Sequence, residues 1–239
     1  MTPLIYLPSL PVTAASFTPL FDSFQGLSVD YPGFAGQPED PTLTTIADYA
    51  ARVLAAMDQA QIRQAALIGT SFGGQLALYL AAHHPDRVTH LAINSTFGLP
   101  IQPEEQAMFS GLAQAAGDQG AAALADTLGE LLLSATTRQT QPAIGQQLRD
   151  MMFSASPQAL RQTFTALANR PDPTPWLAAI KAPTLITWGA DEIAVPAAQR
   201  DALAKISQAQ VVTISRSAHF PYLENTREFL PVLQRFMAS

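Results

Sequence analysis

Gly69-Thr70-Ser71-Phe72-Gly73-Gly74 sets a serine between glycines at the end of an apolar run, where its hydroxyl could serve as a nucleophile. The run 65–68 is short and unbroken, as suits a strand buried on both faces of a parallel sheet, and 75–82 is an uninterrupted stretch of helix formers. The chain must therefore reverse around Ser71. Gly69 and Gly73 lack side chains that would collide in so sharp a bend. The hydroxyl would then stand at a helix N-terminus, where free N–H groups and the positive dipole end favour a developing oxyanion. A glycine-serine loop without chemistry is the other reading of the short pattern, and the flanking strand and helix weigh against it.

A serine hydroxyl needs a base. Of the four histidines, His83 and His84 close the helix after Ser71 and His90 opens the strand-like run 89–94, so these three read as structural. His219 follows the strand-like run 210–215 across a short polar loop. It precedes Phe220-Pro221 and a helix expected over about 226–237, for which Asn225 and Glu228 form a capping pair. A loop histidine at the C-terminal edge of a parallel sheet is placed to reach Ser71, an exposed loop histidine being the alternative. A triad also needs a carboxylate to orient the imidazole. The apolar run 183–189 leads into the adjacent acids Asp191 and Glu192, which otherwise read as solvated loop charges.

With these residues in place, the chain resembles the α/β-hydrolase superfamily over nearly all its length, in the order nucleophile, acid, histidine. Relatives with a small helical cap carry P-T-L-x-x-x-G-x-x-D-x-x-x-P; counted from Gly189 and Pro196, the acid falls on Glu192, with Asp191 one residue early. Glutamate serves in this family, so the resemblance favours Glu192 and keeps Asp191 as the alternative. Ser217-Ala218-His219-Phe220-Pro221-Tyr222-Leu223-Glu224 resembles the G-H-x-x-x-x-E signature, with Ala218 in place of glycine. Where relatives carry His-Gly after the first strand, this chain has Pro8-Ser9. On that alignment the oxyanion would meet the backbone N–H groups of Leu10 and Phe72, since proline removes the donor only at position 8. Asp30-Tyr31-Pro32-Gly33-Phe34-Ala35 resembles the family's D-x-P-G-x-G turn and reads as structural.

These residues need a scaffold. Strand-like runs at 4–7, 27–31, 65–68, 89–94, 184–188 and 210–215, separated mostly by helical stretches, predict an α/β fold of about six mostly parallel strands with helices on both faces. The antiparallel hairpin that opens relatives is expected to be absent. Residues 98–176, rich in Ala, Gln and Leu and bounded by Gly98-Leu99-Pro100 and Pro171-Asp172-Pro173, are expected to form a helical cap inserted in a core of 1–97 and 177–239. Met108, Phe109, Leu112, Met151, Met152, Phe153, Phe164 and Trp176 are candidates for an apolar pocket above Ser71, or for packing between cap helices. Arg138, Arg149, Arg161 and Arg170 read either as partners for a substrate carboxylate or as a solvated helix face.

Composition narrows the classes. The 239 residues are 48% hydrophobic and only 13% charged, which implies one well-buried soluble domain. A net charge of −6 and dispersed basic residues argue against nucleic acid. Cysteine is absent, which excludes disulfides, thiolate metal sites and a cysteine nucleophile. No metal-ligand spacing appears, and the glycines after Ser71 lack the lysine of a phosphate loop, so no cofactor is expected. Met1-Thr2-Pro3-Leu4 has no basic leader and no run reaches membrane-spanning length, so a cytoplasmic protein without membrane contact is expected. The resemblance implies a cofactor-independent serine hydrolase that cleaves a small-molecule ester or lactone through an acyl-enzyme on Ser71. Acyl transfer or carbon–carbon bond hydrolysis could use the same triad. The Pro8-Ser9 departure motivates a third reading, a non-catalytic ligand-binding protein on a hydrolase scaffold.

Overall fold

A computed structural model describes residues 2–238 and joins six strands in one sheet, β1 (Leu4–Leu7), β2 (Gly26–Ser28), β3 (Ala65–Thr70), β4 (Val88–Asn94), β5 (Thr184–Gly189) and β6 (Ala209–Ile214). The spatial order is β2-β1-β3-β4-β5-β6, and every pairing is parallel. Unbroken apolar runs take central positions because both faces are covered: β1, β3 and β5 are buried at every residue. Edge strand β6 is largely exposed at 209–213. The second strand is shorter than the run 27–31, because Asp30 leaves the ladder to accept the Ala14 N–H at 2.6 Å and Tyr31 enters the following turn.

Helices α1 (Thr18–Phe21), α2 (Ile46–Gln59) and α3 (Phe72–His83) make the early crossovers, α10 (Ala197–Leu203) joins β5 to β6, and α11 (Pro221–Glu224) and α12 (Thr226–Met237) follow. Helix α2 packs on α3, while α11 packs with α1 and α12, so the sheet is covered on both faces. Thr45 and Asp48 form a capping box at the start of α2. The expected pair at α12 behaves differently. Asn225 donates its amide to the Ser215 carbonyl at 2.8 Å and to Glu228 Oε2 at 2.9 Å, which ties the helix start to the end of β6 without capping an N–H.

Between β4 and β5 every regular element is helical, with α4 (Pro103–Gln119), α5 (Ala125–Leu132), α6 (Ala135–Thr140), α7 (Pro142–Phe153), α8 (Pro157–Ala168) and α9 (Thr174–Ala179). Helices α4 and α8 lie along each other. The last helix belongs elsewhere: α9 packs on α3, where Trp176 meets the rings of Tyr79 and His83 edge-on, each at 5.5 Å. The expected boundary at residue 176 thus falls inside a helix docked on the core.

Candidate active site

Ser71 occupies the single-residue turn between β3 and α3 with φ 52° and ψ −110°, a conformation that costs a non-glycine residue strain. Surrounding bonds hold it there. Its N–H donates to the Asn94 carbonyl at 3.0 Å, and its carbonyl accepts from Thr96 Oγ1 at 2.7 Å. The flanking glycines permit close approach: a Cβ on Gly69 would lie 2.4 Å from the Gly73 oxygen, and one on Gly73 would lie 2.0 Å from the Leu7 oxygen. Substituting Gly69 would push the strand end from the helix start, and substituting Gly73 would pry the turn from β1.

Across the sheet's C-terminal edge, His219 is 2% exposed in the loop after β6. Its Nδ1 lies 2.8 Å from Glu192 Oε2, whose side chain is fully buried. Glu192 Oε1 accepts the Ala194 N–H at 2.6 Å and the Val195 N–H at 3.2 Å. Burial, the largest influence, pushes the Glu192 carboxyl up, but His219, the Ser95 hydroxyl and the Ala194 N–H outweigh it and hold the group below its ordinary range. An ionised carboxylate accepts only, so Nδ1 carries the proton and Nε2 is left for chemistry. Asp191, by contrast, is exposed, and only its backbone N–H enters the region, donating to the Ser217 carbonyl at 2.9 Å. Gly189 allows the two loops to meet, since a Cβ there would lie 2.1 Å from the Ala218 oxygen.

Glu224, the last residue of the histidine signature, is 4% exposed. Its Oε1 accepts the N–H groups of Ala218 at 2.9 Å and Phe220 at 3.2 Å, one on each side of His219. Its Oε2 accepts from Ser134 N at 2.8 Å and Thr137 Oγ1 at 2.9 Å, at the start of α6. One carboxylate therefore fastens the histidine loop to the helical insertion. The His219 N–H adds a bond to the Leu132 carbonyl at 3.2 Å.

The Pro8-Ser9-Leu10 loop completes the surroundings. The Pro8 carbonyl accepts from the Gly73 N–H at 3.1 Å and the Tyr31 hydroxyl at 2.7 Å, which binds the loop to the serine turn. Among the described residues the N–H groups of Leu10 and Phe72 donate to nothing. The Ser9 side chain carries no role in the sequence pattern. It is fully buried, with its hydroxyl 3.3 Å from His219 Nε2 and 3.1 Å from the Leu10 carbonyl. Its departure from the His-Gly pattern was the available signal.

Ser71, His219 and Leu10 line one cavity of about 60 Å³. Met108, Phe109, Leu112 and Phe164 from the insertion line it as well, together with Phe97, Leu128, Leu131, Leu132, Leu167, Ala194 and Val195. The remaining pocket candidates lie elsewhere. Met152 is buried in the core, Phe153 is 54% exposed, Met151 lines a separate cleft with Thr13 and Ala35, and Trp176 sits on α3. An apolar residue on a helical insertion can face the cavity, a neighbouring helix or solvent, and composition does not distinguish the three. Of the arginines, Arg149 pairs with Asp126 and Arg161 with Asp118 at exposed positions, and Arg138 is exposed. Arg170 is buried against Glu105. The other histidines are remote, His83 stacked on Tyr79 and His90 edge-on to Phe236.

The description of the alpha/beta hydrolase family fits residues 4–232, nearly the whole length over which this arrangement is built. The chain belongs to that family. A pimeloyl-[acyl-carrier protein] methyl ester esterase from Neisseria meningitidis is 30% identical over 178 residues, covering 72% of this chain and 68% of that protein. A 2-hydroxymuconate semialdehyde hydrolase from Pseudomonas putida is 24% identical over 222 residues, covering 87% and 74%. Among solved structures, a thermophilic esterase from Thermogutta terrifontis superposes with a TM-score of 0.93 at 23% identity, over 100% of this chain and 90% of that one. The enol-lactonase from Burkholderia xenovorans LB400 gives 0.89 at 24% identity, over 100% and 92%. This α/β hydrolase thus shares its fold with esterases and a lactonase and has esterases among its sequence relatives.

Proposed function

We propose that this α/β hydrolase is a cofactor-independent serine esterase for small carboxylic esters or lactones. The observation that carries the reading is the buried Glu192–His219 pair opening onto the same cavity as the strained Ser71. In the mechanism, Ser71 Oγ attacks the ester carbonyl as His219 Nε2 takes its proton. Glu192 holds the Nδ1 proton and stabilises the imidazolium without itself being protonated. The carbonyl oxygen gains the electron pair and is met by the unused N–H groups of Leu10 and Phe72. Collapse breaks the ester C–O bond, and the imidazolium returns the proton to the leaving alkoxide. Water then repeats the sequence on the acyl-enzyme and restores Ser71. In the resting protein the Ser71 hydroxyl makes no hydrogen bond among the described residues, consistent with catalytic bonds that tighten when substrate binds.

The helical insertion acts as the cap over this site. The cavity of about 60 Å³ is far smaller than the roughly 300–1,000 Å³ of a typical ligand pocket, so a short acyl group is the expected substrate and longer ones require the insertion to move. Turnover of short-chain methyl and p-nitrophenyl esters tests the reading. Ser71→Ala is expected to lower kcat by at least about 10³-fold while the fold is retained. Retained turnover in that variant would sink the proposal.

A further inference from the structure

Directly behind the aromatic wall of the cavity lies a cation that the mechanism does not use. The Arg170 side chain is fully buried, its guanidinium carbon 4.1 Å from the centre of the Phe97 ring and 5.8 Å from that of Phe109. Both rings line the cavity beside Ser71. Nη2 is paired with Glu105 Oε2 at 2.7 Å, Nη1 donates to the Leu167 carbonyl at 3.4 Å, and Nε is buried without a partner among the described residues. Burial, the largest influence, lowers the guanidinium pKa and Glu105 raises it, but an arginine stays charged in either case. Its charge is spent on Glu105 and the Phe97 face, not on the cavity.

Among the residues lining the cavity, His219 alone can ionise. A substrate carboxylate drawn into this space would lose its water and find no counter-charge, whereas an alkyl or aryl chain would find leucines, phenylalanines and a methionine. We propose that this site selects esters with an uncharged, apolar acyl chain, and that Glu105 and Phe97 enforce the selection by withholding Arg170. The inference rests on Ser71 being the nucleophile of an ester-cleaving enzyme. It assigns a specificity role to a buried ion pair that touches no reacting atom.

The test compares methyl valerate with monomethyl glutarate, which differ by a terminal methyl against a carboxylate, with methyl glutaramate as the uncharged polar control. In the natural protein kcat/KM is expected to favour valerate over glutarate by about 10²-fold or more, with the glutaramate between them. Removing the ring and the competing carboxylate together, in Phe97→Ala/Glu105→Gln, is expected to narrow that ratio at least tenfold, more than either single change. Arg170→Met/Glu105→Leu removes both charges at once and is expected to leave the ratio as it was. Comparable turnover of valerate and glutarate by the natural protein overturns the proposal. So does an unchanged ratio in the unmasked double variant, or a further loss on the glutarate when Arg170 is removed. Cleavage of valerate with Ser71 still reactive keeps any such failure separate from the reading of the reaction. If no ester is cleaved, the reading of the reaction fails instead, and calorimetry with valeramide against the glutaramate anion, the same amide with a terminal carboxylate in place of the methyl, tests the cavity's preference directly.

Discussion

At the scale of single residues, two neighbouring carboxylates have opposite surroundings. Glu192 is buried against the imidazole and Asp191 is exposed, although only one position separates them in the chain. Glu192→Gln is expected to lower kcat by about 10³- to 10⁴-fold, because the amide cannot hold the required tautomer, while Asp191→Asn stays within about threefold. Steady-state kinetics on one short ester checks both, and equal losses would reject the assignment. The spacing from Gly189 and Pro196 favours Glu192, and the contacts give the reason: the turn after Gly189 directs residue 192 inward, where Ala194 and Val195 N–H groups receive it. Ser9 was illegible because its partner is 210 positions away.

At the scale of elements, strand runs and the helix after Ser71 could be read directly, since buried parallel strands leave unbroken apolar runs. The ends were less legible. The second strand stops early at an Asp30 contact, and α9 docks on α3 although the expected cap reaches into it at residue 176. Neither follows from local propensity. The signature glutamate likewise turned out to be a tie between elements. Glu224→Gln places amide hydrogens against backbone N–H donors, so a loss of about 2–3 kcal/mol is expected, lowering Tm by roughly 4–12 °C and disturbing His219. Thr137→Val removes one of the two bonds that Oε2 accepts at the start of α6, leaving the Ser134 N–H, and is expected to keep kcat nearly unchanged. Calorimetry with kinetics on both variants separates anchoring of the histidine loop from anchoring of the insertion.

At the scale of the whole molecule, the sheet and the insertion meet at one apolar cavity whose lining comes from both. Which insertion residues face it depends on helix rotation; Phe109 and Phe164 do, and Phe153 does not. The buried carboxylate also links the site to stability. Because Glu192 sits below its usual 4.5 when folded, its contribution is complete above that pH and is lost as pH falls through the folded value. Asp30, raised by burial, acts in the opposite sense. Thermal midpoints are therefore expected to drop more steeply below about pH 4.5 in the natural protein than in Glu192→Gln. Parallel curves in a melting series would contradict that linkage. The central claim is that Ser71 is a nucleophile activated by His219. Its most direct measurement is reaction of the folded protein with a fluorophosphonate, followed by peptide mass spectrometry: the account predicts one adduct, on Ser71, lost in His219→Ala, whereas no adduct, or one on Ser9, would contradict it.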